Sequence, residues 1–230
     1  MYFVSRAEAG RKLAEELVEY RTENVAVVAL SRGAVIVGAQ IAIKLHANLM
    51  MLLTENITLP GIDAFAAITS NNLMTYNKAF YTGEIEELSA EYFHFIEQQR
   101  MEKLHRLHRL VDAAGEVKRD LLRNHTVILV SDGLPTGFSV DVAAEFLKSI
   151  KIKSMIITSP IASIGAVDRM HLVGDKVFCL SVTENYIETS HYYEQNNVPD
   201  TPDLFKIIEN ISLSWDRHGK HIKKYSHTKV

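Results

Sequence analysis

Residues 127–139, VILVSDGLPTGFS, set a single acid, Asp132, between an apolar run and a loop framed by Gly133 and Gly137. Where a buried strand hands over to a helix, the first helical amides point at whatever fills the loop. The helix dipole favours an anion there. Thr136 and Ser139 add hydroxyl donors, and Ser131 precedes the acid. At the strand end Asp132 can accept hydrogen bonds from sugar hydroxyls while the amides hold a phosphate. One acid beside one anion nest suits a ribose 5-phosphate group. The alternative is an ordinary β-α turn in which Ser139 caps the helix. Two glycines and an apex threonine exceed what a cap needs.

A second candidate loop, Ser31-Arg32-Gly33-Ala34, follows the run NVAVVAL at 24–30. Glycine permits close backbone approach, and arginine offers a fork of donors matched to phosphate oxygens. Taken alone, these four residues fit a structural turn as well as a site. Neither loop carries the Gly-x-Gly-x-x-Gly dinucleotide fingerprint, and no Gly-Lys-Ser/Thr marks a nucleoside-triphosphate loop.

The elements that must position these loops alternate. Ser5 is a plausible N-cap for a helix running to Tyr20, with Ala9, Leu13, Leu17 and Tyr20 on one face. Strands are expected at 24–30, 48–53, 126–130, 154–158 and 176–180. Helices are expected after the SRG turn, over 84–113 as one long stripe (Leu88, Tyr92, Phe95, Leu104, Leu107, Val111), and near 139–150, 163–172 and 204–213. Residues 54–80 break this rhythm. Pro60-Gly61 signals a turn, and two short strands are expected around Asn71-Asn72. Such an insertion between core elements is often a hood over a site. Strands alternating with helices predict one α/β domain over 1–215, a parallel sheet with helices on both faces, a hood at about 54–80, and a basic tail at 216–230.

An acid at a strand end followed by Gly-x-x-Thr-Gly-x-Ser resembles the phosphoribosyl-pyrophosphate (PRPP) loop of type I phosphoribosyltransferases. LSRGAVIVGAQIA resembles that family's pyrophosphate loop and following helix, and PGIDAFAAI resembles the hood of a bacterial subgroup of it. The order of elements agrees over roughly 5–185. The resemblance implies a parallel-sheet core with a hood, PRPP bound with magnesium, and transfer of ribose 5-phosphate to a nitrogenous base or amine with loss of pyrophosphate. It implies that Asp132 holds ribose hydroxyls, that Thr136, Gly137 and Ser139 hold the 5-phosphate, and that Arg32 and Gly33 face the pyrophosphate. It also implies a homodimer.

The chain departs from that pattern at four positions. Ser131 stands where the family has a second acid, and losing one such charge costs about 2–4 kcal/mol at a transition state. Pro135 offers no N–H. Phe138 is large where the family is small, and Glu55 and Asn56 replace a basic pair in the hood. Transfer, and binding without turnover, therefore both stand as readings.

Composition narrows the remaining classes. A net charge of −3 over 230 residues gives no general pull toward nucleic acid or anionic lipid. With 47% hydrophobic and 23% charged residues the chain reads as globular, and no apolar run reaches membrane-spanning length. The lone Cys179, in VFCL, excludes an intrachain disulfide and reads as a buried thiol. His94, His105 and His108 sit among Arg and Lys and read as a solvated basic face. Tyr192 and Tyr193 read as packing residues, with stacking on a base as the alternative that the family resemblance raises. A cytoplasmic protein with a small-molecule ligand is expected.

Overall fold

Every residue of Val25–Ala29 and of Thr126–Val130 is buried, as strands covered on both faces require. The computed structural model describes residues 2–114 and 117–216. In chain order its elements are β1 (Phe3–Ser5), α1 (Arg6–Glu16), β2 (Val25–Ala29), α2 (Arg32–Leu45), β3 (Asn48–Met51), β4 (Thr54–Leu59), β5 (Ile62–Thr69), β6 (Met74–Tyr76), α3 (Thr82–Glu91) and α4 (Phe93–Ala114). There follow β7 (Thr126–Val130), α5 (Phe138–Leu147), β8 (Ser154–Ser163), α6 (Ile164–Val173), β9 (Lys176–Thr183), β10 (Tyr193–Gln195) and α7 (Thr201–Asp216).

A five-stranded parallel sheet of order β3-β2-β7-β8-β9 forms the core. Side chains alternate across it. Val25, Val27 and Ala29 face α1, α2 and α7, whereas Ala26, Val28, Val127 and Leu129 face α5 and α6. The expected α/β class, with a parallel sheet and helices on both faces, is what the chain adopts.

The hood is a separate antiparallel sheet, β4-β5-β6. Gly61, at φ 78, turns β4 into β5, and Asn72, at φ 62, serves the β5–β6 turn. Ile57, Phe65 and Ile68 from this sheet pack on Ile96 and Leu107 of α4.

Several elements differ from the sequence reading. The hood has three strands rather than two, because the alternation in TENITL forms β4. The expected single helix over 84–113 is two, parted at Tyr92, whose N–H caps α3 on the Leu88 carbonyl. Ile96, rather than Phe95, is buried in the α4 seam. Ser31-Arg32-Gly33-Ala34 is not a free turn: Ser31 is the N-cap of α2 and the other three open its first turn. Ser139 does not cap α5; Gly137 does. A short parallel pair, β1 with β10, joins the N-terminal segment to the segment after β9 (Phe3↔Tyr193) and has no counterpart in the sequence reading. Apart from Asp216, which ends α7, the basic tail lies outside the described residues.

Leu129 lies fully buried in the strand that leads to the candidate loop. Leu129→Ala is expected to cost about 2–5 kcal/mol of stability, read as a lower urea midpoint at unchanged slope. A change within error would show that the β7–α5 layer is not the core described.

Candidate functional site

The chain leaves β2 toward β3 on one side of the sheet, and leaves β7 toward β8 and β9 on the other. The carboxyl ends of β2 and β7 therefore diverge at a topological switch point, where α/β sheets bind ligands. Because Ala29 pairs with Val130, the two candidate segments start side by side.

Asp132 is the hub. Its Oδ1 accepts from Ser31 Oγ at 2.6 Å, and its Oδ2 accepts from Arg6 Nε at 2.7 Å. Ser31 Oγ also accepts from Ala34 N, so the hydroxyl that starts α2 also ties that helix to the acid. Arg6 and Asp132 side chains are only 6% and 9% exposed. Arg6 Nη1 donates to Asn196 Oδ1 at 2.7 Å, and its guanidinium lies 4.5 Å from the centre of the Tyr193 ring. The Tyr193 hydroxyl donates to the Asp132 backbone carbonyl. Gly33 makes this possible: a Cβ there would fall 1.9 Å from Asp132 Oδ2 and 2.6 Å from Arg6 Nε. A carboxylate has about four lone-pair sites, so Asp132 keeps acceptor capacity beyond these two bonds.

Ser131 is buried and folded into its own loop. Its hydroxyl donates to the Gly133 carbonyl at 2.9 Å and accepts from Gly133 N at 3.2 Å. Leu134 pairs with the end of β8 through Leu134 N to Ile161 O and Ser163 N to Leu134 O, and Ser163 Oγ donates to the Pro135 carbonyl. That leaves Pro135 and Thr136 as the exposed apex. Gly137, at φ 73, then opens α5. The amides of Val140 and Asp141 return to the Gly137 carbonyl, and Phe138 N reaches Thr136 Oγ1. Among the described residues the amides of Thr136, Gly137 and Ser139 have no hydrogen-bond partner. Partnerless amides at a helix start form an anion nest. Phe138 is buried against Ala64 and Ala67 of the hood and Val142 of α5, so its ring fastens the hood to the start of α5.

One turn along, a second acid meets two cations. Asp141, buried in the first turn of α5, accepts from Arg169 Nε at 2.8 Å to both carboxylate oxygens and from Lys78 Nζ at 3.3 Å. The Arg169 stem lies against Gly137, where a Cβ would come within 2.9 Å of it. A cavity of about 510 Å³ opens nearby between the hood and α5, lined by Thr75, Tyr76, Lys78, Phe80, Tyr81 and Glu145 among others.

The segment after β9 closes over the loop. Tyr186 and Thr189 hydroxyls bond each other at 2.9 Å and crowd Gly133, where a Cβ would meet the Tyr186 oxygen at 2.3 Å. Burial pushes the Tyr186 phenol up to about 12, and burial with the Asp132 charge raises Tyr193 as well. Tyr192, also buried, bonds Ile187 N and Asn185 O, so both Tyr192 and Tyr193 serve packing here.

The structure thus brings Ser31, Gly33, Ala34, Ser131, Asp132, Gly133, Thr136, Gly137 and Ser139 together at the carboxyl ends of β2 and β7. Arg32 differs: half-exposed, it reaches the Pro199 carbonyl at 2.9 Å and Asp200 at 3.9 Å. Glu55 faces Arg106 on α4 at 3.6 Å, and the Asn56 carbonyl accepts from Lys103, so this hood pair lies against α4 and not over the loops. Among the described residues no group of three or more His, Cys, Asp or Glu could hold a metal ion. Cys179 is half-buried, its thiol raised by burial. No helix of the described residues is long and apolar enough to cross a membrane. Sequence reasoning did not identify Arg6, Asn196, Tyr186, Thr189 or the Asp141–Arg169 pair.

The model of the phosphoribosyl transferase domain matches residues 5–195 of the chain. Two curated proteins, from two strains of Mycobacterium tuberculosis and named "Putative phosphoribosyl transferase" Rv0571c and MT0597, are each 26% identical over 203 residues. That is 87% of this chain but only 44% of theirs, so the chain spans less than half the length of these relatives. The crystal structure of TT1426 from Thermus thermophilus superposes with a TM-score of 0.71 at 24% identity, covering 94% of this chain and 99% of that one. The likeness is one of fold.

Two outcomes follow from the site geometry. Gly33→Ala is expected to split the Arg6–Asp132 pair and cost about 3–5 kcal/mol, seen as a fall in Tm; an unchanged Tm would mean that the pair is not confined as described. The folded-state phenol of Tyr186 titrates above its unfolded value of about 10. Its contribution to stability is complete below that pH and is lost as pH rises toward about 12. Urea midpoints across this range should decline more steeply for the parent than for Tyr186→Phe; parallel curves would refute the assignment.

Proposed function

The chain belongs to the phosphoribosyl transferase domain family, and we propose that it binds PRPP at the 131–139 loop and transfers ribose 5-phosphate to a nitrogenous base or amine. One observation carries the reading. The partnerless amides of Thr136, Gly137 and Ser139 stand at the start of α5, beside an acid at the end of β7. In this reading the amides and the Thr136 and Ser139 hydroxyls hold the 5-phosphate, and Asp132 accepts from the ribose hydroxyls on its remaining lone pairs. The acceptor nitrogen forms a bond to the anomeric carbon as the carbon–oxygen bond to pyrophosphate breaks, and the nitrogen's proton leaves to solvent. The family resemblance implies magnesium bound with PRPP. The residues at this crevice do not fit a protein-held ion, because the single carboxylate is already paired with a guanidinium and Ser131 brings no charge.

The Arg6–Asp132 pair favours a second reading, in which the chain binds PRPP or a nucleotide without turnover. A carboxylate neutralised by a guanidinium gives less electrostatic relief to positive charge growing at the anomeric carbon than a free one. The family resemblance alone carries a homodimer, and a cytoplasmic setting rests on the sequence reading alone. The single domain over 1–215 rests on the order of elements.

Calorimetry with PRPP, paired with a pyrophosphate-release assay over a panel of nucleobases and amines, separates the two. Release above the protein-free control with any acceptor supports transfer. Binding with no release across the panel rejects transfer and leaves the second reading, and an absence of binding rejects both.

A further inference from the structure

Arg6 brings a fixed positive charge to the carboxylate on which a PRPP site relies. Its Nε lies 2.7 Å from Asp132 Oδ2, while Ser31 Oγ holds Oδ1 at 2.6 Å. A divalent cation drawn to this carboxylate would meet that guanidinium as a like charge in a buried setting, where screening is weak. Nor can the guanidinium readily withdraw. Asn196 holds Nη1, the Tyr193 ring lies along one side, and α1 begins at Arg6 itself, with Ser5 as its N-cap. Gly33 supplies the space in which the pair sits.

The local charge sum points the same way. Asp132 and Arg6 together are neutral, and position 131, where a second acid would leave a net negative charge, is a serine whose hydroxyl is spent on Gly133. No surplus negative charge remains at the crevice to recruit a cation. Arg6 Nη2 meanwhile has no hydrogen-bond partner among the described residues. Guanidinium donors are matched to the oxygens of phosphate groups and are held ready by their planarity.

We propose that Arg6 takes the electrostatic place of a divalent cation at this site, so that a 5-phosphorylated ribose binds independently of magnesium. The inference rests on the binding reading above and adds to it the residue that replaces the metal. Arg6 is a positioning residue for Asp132 and a direct donor to the ligand through Nη2.

The test is calorimetric titration of the full chain with ribose 5-phosphate and with PRPP, each in excess magnesium chloride and in excess EDTA. The expected Kd values in the two solutions agree within about threefold. Arg6→Gln, which keeps a planar amide but removes the charge, is expected to weaken binding in EDTA by about tenfold or more, with part of the loss recovered on adding magnesium. Binding to the parent that tightens by about tenfold or more in magnesium overturns the proposal while leaving the binding reading intact. Equal affinity of the parent and a folded Arg6→Gln protein in EDTA also overturns it. Absence of binding in both solutions overturns the binding reading, and the proposal with it. Should circular dichroism show Arg6→Gln unfolded, Arg6→Lys keeps the charge without the fork and must bind in EDTA more weakly than the parent, and the parent's ratio between the two solutions still decides.

Discussion

The buried pair between Arg6 and Asp132 is the constraint around which the crevice is arranged. Taking two charges out of water costs several kcal/mol per ion after relaxation, and only close geometry with further hydrogen bonds offsets it. The support comes from two distant segments of the chain, residues 31–33 and 193–196. Ser31 comes from the cap of α2, Asn196 from beyond β10, Tyr193 from β10 itself, and the space comes from Gly33. Satisfying one ion pair thus requires that the N-terminal helix, both switch-point loops and the C-terminal strand all be in place. The parallel pairing of β1 with β10 reads in this light as the device that delivers Arg6 and Tyr193 together.

The hood is tied to the same region by different forces. Phe138 buries its ring between the hood's β5 and α5, and Lys78, just past β6, reaches Asp141 in the first turn of α5. The turn that carries the anion nest is therefore also the turn on which the hood is anchored, by one apolar contact and one ion pair. Gly137 sits between them because only a residue tolerant of φ 73 fits there, and only one without a Cβ clears Arg169.

Much of this was legible in the sequence, for identifiable reasons. Runs such as NVAVVAL and TVILV are continuous because parallel strands are buried on both faces, and their ends mark where ligand loops begin. The glycines at 133 and 137 signalled a loop with backbone close to something else. Other parts left no local trace. The break at Tyr92 has no Gly or Pro to mark it, and β1 and β10 are too short for a period to show. TENITL is half polar because Ile57 and Leu59 turn to the seam with α4 while Asn56, on the other face, is exposed. Arg6 reads locally as an ordinary residue at a helix start. What buries it is a partner 126 residues away, which no window of sequence contains.

The two departures that matter most at this site, Ser131 and Arg6, make electrostatic sense only together. An arginine beside a two-acid loop would leave one carboxylate unpaired, and a one-acid loop without the arginine would leave Asp132 buried with the Ser31 hydroxyl but no countercharge. With both, Arg6 and Asp132 together carry no net charge and each carboxylate oxygen of Asp132 is engaged. The anion nest is untouched by that balance, because it is made of backbone amides and a helix dipole rather than ionisable groups. Holding a phosphate and stabilising charge at the anomeric carbon are therefore assigned in this fold to different chemical groups. A chain can change the second by altering two side chains while the backbone continues to provide the first.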